Sequence, residues 1–367
     1  MVIRPLVVIV FLFGAFIAQP AAADAGFREW LAQFRGTATA SGISAETFDR
    51  AFRNVNEPDA EVIKLANYQP EFVAPVWEYF DNRIHDQSVA IGREKARELK
   101  PWLDKIEKKY GVDRHILLAI WSVESNYGEV LKNDKVMKNV VRSLATLAYS
   151  DPQRRKFART QLLAALKILQ RGDIDESHLT GSWAGAMGHT QFIPTSYQAY
   201  AVDIDADGRR DIWNSVPDAL ATAANLLAKN GWRSGKSWGH EATADEDDSY
   251  APDGSDGPAF VRNKNFYVLK RYNNADKYAL AVGLLADQIA GGKSLSRDWD
   301  RPFTKLNFAE KQELQQRLRD KGFYDGEVDG KTGPKTRAAI KAFEASAGLD
   351  GEGYPSQEVL NRLRGQK

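Results

Sequence analysis

Apolar residues recur three and four positions apart along most of the chain between Phe27 and Ile289. This spacing places them on one face of an α-helix. It is clearest in QLLAALKIL (161–169) and DALATAANLLAK (218–229). We therefore predict that residues 24–300 form a large, mainly α-helical domain.

A second helical unit is predicted after Gly291-Gly292 and a polar stretch. Between about 307 and 364, two amphipathic segments flank the turn-rich YDGEVDGKTG. We place a small separate domain at 305–367. Its GEVDGKT (326–332) has three residues between the glycines, where a phosphate-binding loop needs four, and no apolar strand precedes it. No nucleotide site is predicted there.

The N-terminus, MVIRPLVVIVFLFGAFIAQPAAADAG, has the features of an export signal. Arg4 supplies the positive charge, residues 6–17 the apolar stretch and Ala21–Ala23 a small-residue cleavage site, which predicts a signal peptide at 1–23. The alternative is an uncleaved membrane anchor, but the apolar stretch is shorter than the ~20 residues of a membrane span.

Composition narrows the compartment and the possible partners. The 367 residues contain no cysteine, hence no disulfide and no lipid-modified cysteine behind the signal. We expect a periplasmic protein, peripheral to the membrane at most. The 50 basic and 49 acidic residues nearly cancel, so net charge gives no argument for nucleic acid. Zinc-hydrolase, nucleophile-elbow and dinucleotide motifs are missing from the sequence.

Glu124 lies in AIWSVESNYG (119–128), where a helix is expected to bury apolar side chains. Trp121, Ile120 and Leu117 precede it by three, four and seven positions, so all four share one helical face. Burial raises the pKa of a carboxylic acid, and an acid partly protonated near neutral pH suits general-acid catalysis. Glu124 is therefore a candidate catalytic acid. The alternative is a half-exposed glutamate at a helix end with no catalytic role.

A second candidate site is the segment SWAGAMGHTQFIPTSYQAY (182–200). Its glycines let the backbone approach a ligand closely, and its mixture of polar and apolar side chains suits a sugar. The alternative is a glycine-rich turn between two helices. The candidate ligand-binding side chains are Met187, Gln191, Phe192, Ser196 and Tyr197.

The next segment, AVDIDADGRRDIW, has the spacing of a calcium-binding loop. Asp203, Asp205 and Asp207 occupy ligand positions 1, 3 and 5, and the carbonyl of Arg209 would occupy position 7. Position 12 is an asparagine where a glutamate is expected, and Asp218 is the nearest acid that could close the site. A metal-free turn built on aspartate side chains is the alternative.

Several segments together resemble the membrane-bound lytic murein transglycosylase B family. They are ESNYG, GAMGHTQFIPTSYQAYAVDIDADGRRDIWNSVPDAL and RYNNADKYALAVGLLAD, in the order of that family. The tail LQQRLRDKGFYDGEVDGKTGPKTRAAIKAFEASAGL is similar to a peptidoglycan-binding module. The resemblance implies a mainly α fold, with a lysozyme-like (α+β) catalytic domain, an EF-hand-like loop and a small three-helix C-terminal domain.

The resemblance also implies roles for individual residues. Glu124 matches the single catalytic acid, and a structural Ca²⁺ is expected although the chemistry requires no cofactor. The implied substrate-binding residues are Ser125, Met187, Gln191, Phe192, Ser196, Tyr197, Tyr272 and Tyr278. The implied calcium ligands are Asp203, Asp205, Asp207, Arg209 and Asp218.

The expected reaction is cleavage of the MurNAc-GlcNAc β-1,4 bond of peptidoglycan without water, which gives 1,6-anhydro-MurNAc ends. Glycosidases that use water usually need two carboxylates, whereas the candidate segments supply one. The alternatives are a hydrolytic goose-type lysozyme and a non-catalytic wall-binding protein. Peptidoglycan strands are the expected partner of a monomeric enzyme, and the small domain is expected to tether it to the wall.

Overall fold

The structure, a computed structural model, describes residues 20–67 (side chains from Ala25), 75–243, 246, 249–349 and 351–365. Most of the predicted signal peptide lies outside these residues, and the predicted cleavage point after Ala23 falls in the first turn of the first helix. The helices described are α1 (Pro20–Ala40), α2 (Ala45–Phe52), α3 (Ala60–Asn67), α4 (Val76–Asp81), α5 (Asp86–Glu98), α6 (Lys100–Tyr110), α7 (Arg114–Ser125), α8 (Val140–Ser150), α9 (Arg155–Arg171), α10 (Pro194–Tyr200), α11 (Val216–Lys229), α12 (Lys264–Tyr272), α13 (Asp276–Ile289), α14 (Phe308–Asp320), α15 (Pro334–Ser346) and α16 (Gln357–Leu363).

Two small antiparallel sheets, each of two strands, accompany the helices. Strands β1 (Lys138–Asn139) and β2 (Thr180–Gly181) form one, and β3 (Gly239–Glu241) and β4 (Phe260–Arg262) form the other. None of the helices among the described residues is long and apolar enough to cross a membrane. The mainly helical fold predicted from the apolar spacing is confirmed.

Helix α7 runs through the centre of the large domain. Asp113 caps its N-terminus, because the Asp113 carboxylate accepts a hydrogen bond from the His115 amide at 2.7 Å and so satisfies one of the free N–H groups of the first turn. Residues Ile116–Ser122 are all buried, and α13 packs along one side of the helix. A helix that is buried on every side holds its last turn in a fixed place.

The last three helices form the predicted small domain, with a hydrophobic cluster of its own between Leu306 and Leu363. Helix α14 begins with a capping box, in which Asn307 and Glu310 each accept a hydrogen bond from the other's backbone amide. Gln315 is fully buried, and its amide donates to the Lys331 carbonyl and to Asp329. These bonds fix the turn between α14 and α15.

The small domain is docked on helix α4 of the large domain. The carboxylate of Glu78, which is 4% exposed, accepts a hydrogen bond from the Arg337 guanidinium at 2.6 Å. The Asn82 side chain both donates to the Thr332 carbonyl at 2.5 Å and accepts from the Thr332 amide at 2.7 Å. The rings of His85 and Phe308 stack with their centroids 4.2 Å apart. The two domains therefore share a buried polar interface.

Candidate active site

Glu124 lies in the last turn of α7, on the face predicted from the sequence. Leu117, Ile120 and Trp121 on that face are buried, while Glu124 itself is half-buried and lines a cavity of about 590 Å³. The helix thus presents a carboxyl group to a cavity from within the core.

The chain turns sharply directly after Glu124. Asn126, Tyr127 and Gly128 all have positive φ angles, of 51°, 55° and 90°. A left-handed conformation is unfavourable for a bulky tyrosine, and here the buried Tyr127 hydroxyl is anchored by donating to the Ser88 carbonyl at 2.7 Å. Backbone strain of this kind concentrates at functional sites, and here it turns the chain away from the carboxyl group.

Ser125 joins the end of α7 to the glycine-rich segment. Its hydroxyl donates to the His189 carbonyl at 2.6 Å and accepts from the Gly128 amide at 3.1 Å. The side chain is completely buried. The sequence predicted direct contact with substrate, whereas the structure places Ser125 behind the cavity wall, where it positions its neighbours.

Burial raises the pKa of Glu124 from 4.5 to about 7. Two neighbours oppose this rise, the Tyr278 hydroxyl and the positive charge of Arg83. The Tyr278 hydroxyl lies near this carboxyl group, but the two do not form a hydrogen bond of good geometry. With a pKa near neutrality, Glu124 can both donate and accept a proton.

Two tyrosines predicted at the site lie beside Glu124. The charge of Glu124 contributes to raising the pKa of both Tyr272 and Tyr278, although burial is the larger cause. Their rings stack with centroids 6.1 Å apart, and the Tyr272 hydroxyl donates to the Thr190 carbonyl at 2.6 Å. This bond connects α12 to the glycine-rich segment.

The glycine-rich segment folds into a tight loop against Tyr272. Met187 and Phe192 exchange two backbone hydrogen bonds of 2.9 and 3.0 Å, and the Phe192 ring meets that of Tyr272 edge-on at 5.3 Å. Gly188 has a φ of 67°, and a Cβ there would lie 2.4 Å from the Ile212 carbonyl oxygen. Only glycine fits this position. Gln191, half-buried with a φ of 51°, donates to the Gly188 carbonyl at 2.9 Å.

Several predicted substrate-binding side chains are buried rather than exposed to a ligand. Met187 and Tyr197 are completely buried and Phe192 is 2% exposed. The Tyr197 hydroxyl donates to the Arg210 carbonyl at 2.5 Å, so its placement favours support of the loop over contact with a sugar. Ser196 lies half-buried on α10, and no described contact connects its side chain with Glu124.

Sequence reasoning missed two residues beside Glu124, Tyr79 at the end of α4 and Arg83 just after it. Burial is the main cause that raises the pKa of Tyr79, and the charge of Glu124 adds to it. The charge of Arg83 lowers the pKa of Glu124. The Arg83 guanidinium lies 3.7 Å from the centroid of the Tyr79 ring. Their spacing of four could have suggested a pair on a helix, but no motif linked them with Glu124.

The cavity that contains Glu124 lies between the two domains, which the sequence did not indicate. On the large-domain side its lining includes Arg83, Ser122 and Asn126. On the small-domain side it includes Asp329 and residues 331–336. The small domain thus forms one wall of the candidate active site.

The calcium-type loop brings three carboxylates together. Oxygens of Asp203, Asp205 and Asp218 lie within 4.8 Å of one another. Asp218 is completely buried, and burial together with the charges of Asp205 and Asp203 raises its pKa to about 6. An oxygen-only set with uncompensated negative charge fits Ca²⁺. Asp207 lies outside this group and instead pairs with the Arg209 guanidinium at 3.7 Å.

Comparison with known proteins assigns both domains. The family model described as transglycosylase SLT domain matches residues 26–251 and 246–287, and that of a putative peptidoglycan binding domain matches residues 309–363. Membrane-bound lytic murein transglycosylase B of Escherichia coli (strain K12) is 29% identical over 221 residues, which span 51% of this chain and 60% of that protein.

Solved structures support the same assignment. SltB3 from Pseudomonas aeruginosa, in complexes with NAG-anhNAM-pentapeptide and NAG-NAM-pentapeptide, is 42% identical over 92% of this chain and 99% of its own, with a TM-score of 0.71. The soluble lytic transglycosylase SltB1 from P. aeruginosa is 29% identical over 71% of this chain and 98% of its own, with a TM-score of 0.64. These neighbours confirm the predicted fold class of the two domains, and the EF-hand-like loop stays a prediction.

Proposed function

The chain belongs to the transglycosylase SLT-domain family, and from this premise we propose that it cleaves the β-1,4 bond between MurNAc and GlcNAc of peptidoglycan without water. The observation that carries the proposal is the cavity around Glu124, whose pKa is raised to about 7 by burial. A carboxyl group in this state can act first as an acid and then as a base.

Glu124 performs both proton transfers in the proposed reaction. As an acid it protonates the glycosidic oxygen, and the bond from that oxygen to C1 of MurNAc breaks. As a carboxylate it then takes the proton of the C6 hydroxyl of the same sugar, and O6 forms a bond to C1. The product is a 1,6-anhydro ring and Glu124 is protonated again. Tethering the nucleophile to the substrate can supply an effective concentration of ~10⁵ M or more.

The surroundings of Glu124 support this reaction over hydrolysis. Hydrolytic glycosidases use a second carboxylate as nucleophile or base. Among the residues that line the cavity, Asp329 is the other acid. Its Oδ1 already accepts from Gln315 and from the Lys331 amide at 3.0 Å, and its charge is not among those that shift the pKa of Glu124. Asp329 is therefore poorly suited to activate a water molecule.

The proposed substrate is the glycan strand with the peptides that its muramyl residues carry. SltB3, 42% identical to this chain, has been crystallised with muropeptides of this kind. The C-terminal domain, which matches the peptidoglycan-binding family, would hold the strand near the cavity. We place the enzyme in the periplasm because of its predicted export signal and because it has no cysteine that could carry a lipid behind that signal. We also propose that it acts as a monomer.

We also propose that the loop at 203–218 holds a structural Ca²⁺ with Asp203, Asp205 and Asp218 as ligands. Support comes from the clustered carboxylate oxygens and from the raised pKa of Asp218. The bound ion would neutralise these charges. Asp218 also accepts hydrogen bonds from the Ile204 and Asp211 amides at 2.8 and 2.9 Å, so it would connect the ion to the rest of the loop.

Digestion of purified peptidoglycan in ¹⁸O-labelled water tests the reaction. Intramolecular attack incorporates no label and gives products that end in 1,6-anhydro-MurNAc. Hydrolysis places one labelled oxygen at C1, and mass spectrometry distinguishes the two products. Glu124→Gln serves as the matched inactive control, because the amide keeps the shape of the side chain and cannot exchange the proton. Predominantly labelled, reducing products would make the protein a hydrolase.

A further inference from the structure

Two positively charged side chains from different domains line the cavity that contains Glu124. Arg83 follows α4 in the large domain, and Lys331 lies in the turn before α15 in the small domain. Glu124 faces the same cavity. The two cations thus line the cavity in which the glycosidic bond is proposed to break.

The Arg83 guanidinium is only partly satisfied by the protein. One terminal nitrogen donates to the Tyr79 carbonyl at 3.0 Å. The Nε atom is buried and has no acceptor within the described part of the chain, where no carboxylate lies within ion-pair distance of Arg83 either. Arg83 is half-buried, and a charge in such a position is stabilised when a ligand supplies an anionic partner. Stacking on Tyr79 fixes its plane.

Lys331 is half-buried, and among the described residues its ammonium group has no ion-pair partner. Its backbone is held firmly, because its amide donates to Asp329 at 3.0 Å and its carbonyl accepts from Gln315 at 2.9 Å. The adjacent Thr332 is bound to Asn82 by two hydrogen bonds. Asn82 precedes Arg83 and Thr332 follows Lys331 in the chain. The two hydrogen bonds between Asn82 and Thr332, here called the clamp, therefore keep both cations on the walls of one cavity.

The remaining charged groups of the cavity compensate these two cations only in part. Lys335 lies 3.6 Å from Asp325 and is largely exposed. His85 is neutral near pH 7, because burial and the charges of nearby lysines lower its pKa to about 4. The Asp329 carboxylate accepts from the neutral Gln315 amide, which does not offset its charge, and Glu124 is about half protonated near neutral pH. The cations Arg83, Lys331 and Lys335 still outnumber these two acids. The cavity therefore carries a net positive charge before substrate binds.

We propose that Arg83 and Lys331 bind a carboxylate on the muramyl substituent of the substrate, so that the enzyme selects acidic over amidated strands. Guanidinium and ammonium groups in a partly buried cavity form strong charge-assisted hydrogen bonds with carboxylates. The inference rests on the proposed function, because it assigns a specificity to the same cleavage site. Lys331 makes the small domain part of this selection.

Substrate binding at Arg83 has a consequence for Glu124. The positive charge of Arg83 favours the ionised form of Glu124. A substrate carboxylate that pairs with Arg83 offsets that charge, so Glu124 stays protonated to higher pH in the complex. An acidic substituent would thereby favour the acid form of the catalyst just when the bond must be protonated.

Four tetrasaccharides of alternating NAG and NAM test the selection. One pair carries pentapeptides, with the peptide carboxylates either free or converted to primary amides. The second pair carries no peptide, with the lactyl carboxylates either free or amidated. We expect kcat/KM to be about ten- to a hundredfold higher for the free acid in one pair. The pair that shows the preference identifies the source of the carboxylate.

Single variants test which residues cause the preference for acidic substrates. Arg83→Gln is expected to reduce the acid-to-amide ratio of kcat/KM to near one, and Arg83→Lys to restore part of it. Lys331→Gln should lower the ratio by about threefold, since ammonium contacts near solvent contribute less. Lys321→Gln is the matched control, because Lys321 is exposed in the same domain and does not line the cavity. Thermal unfolding of each variant shows that it is folded.

Two results would overturn the inference. One is equal cleavage of acid and amide in both pairs by the natural enzyme. The other is an acid-to-amide ratio of kcat/KM that stays unchanged in each of the single variants Arg83→Gln and Lys331→Gln. If Arg83→Gln fails to fold, the Lys331→Gln ratio decides alone. The absence of anhydro products from all four substrates would instead contradict the proposed function, so the two failures are distinguishable.

Discussion

The surroundings of Glu124 determine the pKa of its carboxyl group. Burial raises its pKa to about 7, while Tyr278 and Arg83 limit the rise. The spacing of Glu124 from Leu117, Ile120 and Trp121 was sufficient to predict from sequence that Glu124 shares the face of the helix that packs on the core. The same reasoning could not find Arg83 or Tyr79, whose proximity depends on tertiary packing.

The pH dependence of cleavage should report the ionisation of Glu124. Because its protonated form is the proposed acid, kcat/KM is expected to fall as the pH rises through about 7. Glu124→Gln should reduce turnover by at least a thousandfold, roughly the cost of losing a proton donor and acceptor. Steady-state rates between pH 5 and 9 check the first expectation. A rate that is flat across this range would contradict the assignment of Glu124 as the acid.

Glu124 should also destabilise the folded protein at high pH. Its folded-state pKa lies above the ordinary 4.5, so the stabilising effect of the protonated form is present below pH 4.5 and is lost as the pH rises through about 7. Glu124→Gln should therefore be within about 1 kcal/mol of the natural protein near pH 5 and be more stable at pH 8, by at most about 3 kcal/mol. Urea unfolding at both pH values measures the difference. Exposed Glu129→Gln is the control, and equal differences at pH 5 and 8 would count against a raised pKa.

At the scale of elements, the end of α7 depends on hydrogen bonds to the glycine-rich segment. Ser125→Ala removes the donor to the His189 carbonyl and the acceptor for the Gly128 amide. We expect a loss of about 1–3 kcal/mol in the free energy of unfolding. We also expect a lower kcat with little change in KM, because the buried hydroxyl orients Glu124 without touching sugar. A large rise in KM with unchanged stability would restore the direct substrate contact that the sequence predicted.

The calcium loop gives a second element-scale prediction. Calcium should raise the melting temperature of the natural protein, because a ligand that binds only the folded state stabilises it. Asp203→Asn and Asp218→Asn should abolish this shift. Exposed Asp134→Asn, outside the loop, should retain it. Scanning calorimetry with chelator and with excess calcium measures the shift. Identical curves for the natural protein under both conditions would show that the loop is a metal-free turn.

The elements show why some predictions from sequence were more accurate than others. Helices such as α7 and α11 were predictable because local spacing and caps determine them. The burial of Met187 and Tyr197 was not, since composition indicates that a segment suits a sugar but not which side chains face it. Likewise, the spacing of the calcium loop identified Asp203 and Asp205, and Asp218 as the nearest acid, but could not show that Asp207 pairs with Arg209.

At the scale of the whole molecule, the small domain is part of the cavity as well as a candidate tether. The sequence predicted a separate wall-binding unit, because motif order reveals domains but not their contacts. The structure adds that residues 331–336 line the cavity of Glu124. Removal of the small domain is therefore expected to alter cleavage of soluble fragments as well as binding to intact wall.

The Glu78–Arg337 pair provides a test of docking. Arg337→Met leaves the buried Glu78 carboxylate without its guanidinium partner, so we expect a loss of about 3 kcal/mol at pH 7. The loss should shrink at pH 4, where Glu78 can be protonated. Adding Glu78→Gln to Arg337→Met should recover part of the stability. Denaturant unfolding of the single and double variants completes the cycle, and additive effects would show that the pair does not hold the domains together.

The clamp between Asn82 and Thr332 joins residues 250 positions apart in the chain. Contacts this distant in sequence slow folding more than they cost in stability, because the loop between them must close before they form. Synthesis proceeds from the N-terminus, so helix α7 is made well before Thr332, the second residue of the clamp. A nascent chain would then hold Glu124 in an incomplete cavity, without Lys331 on its far wall. The order of synthesis thus makes catalytic competence one of the last properties that the protein acquires.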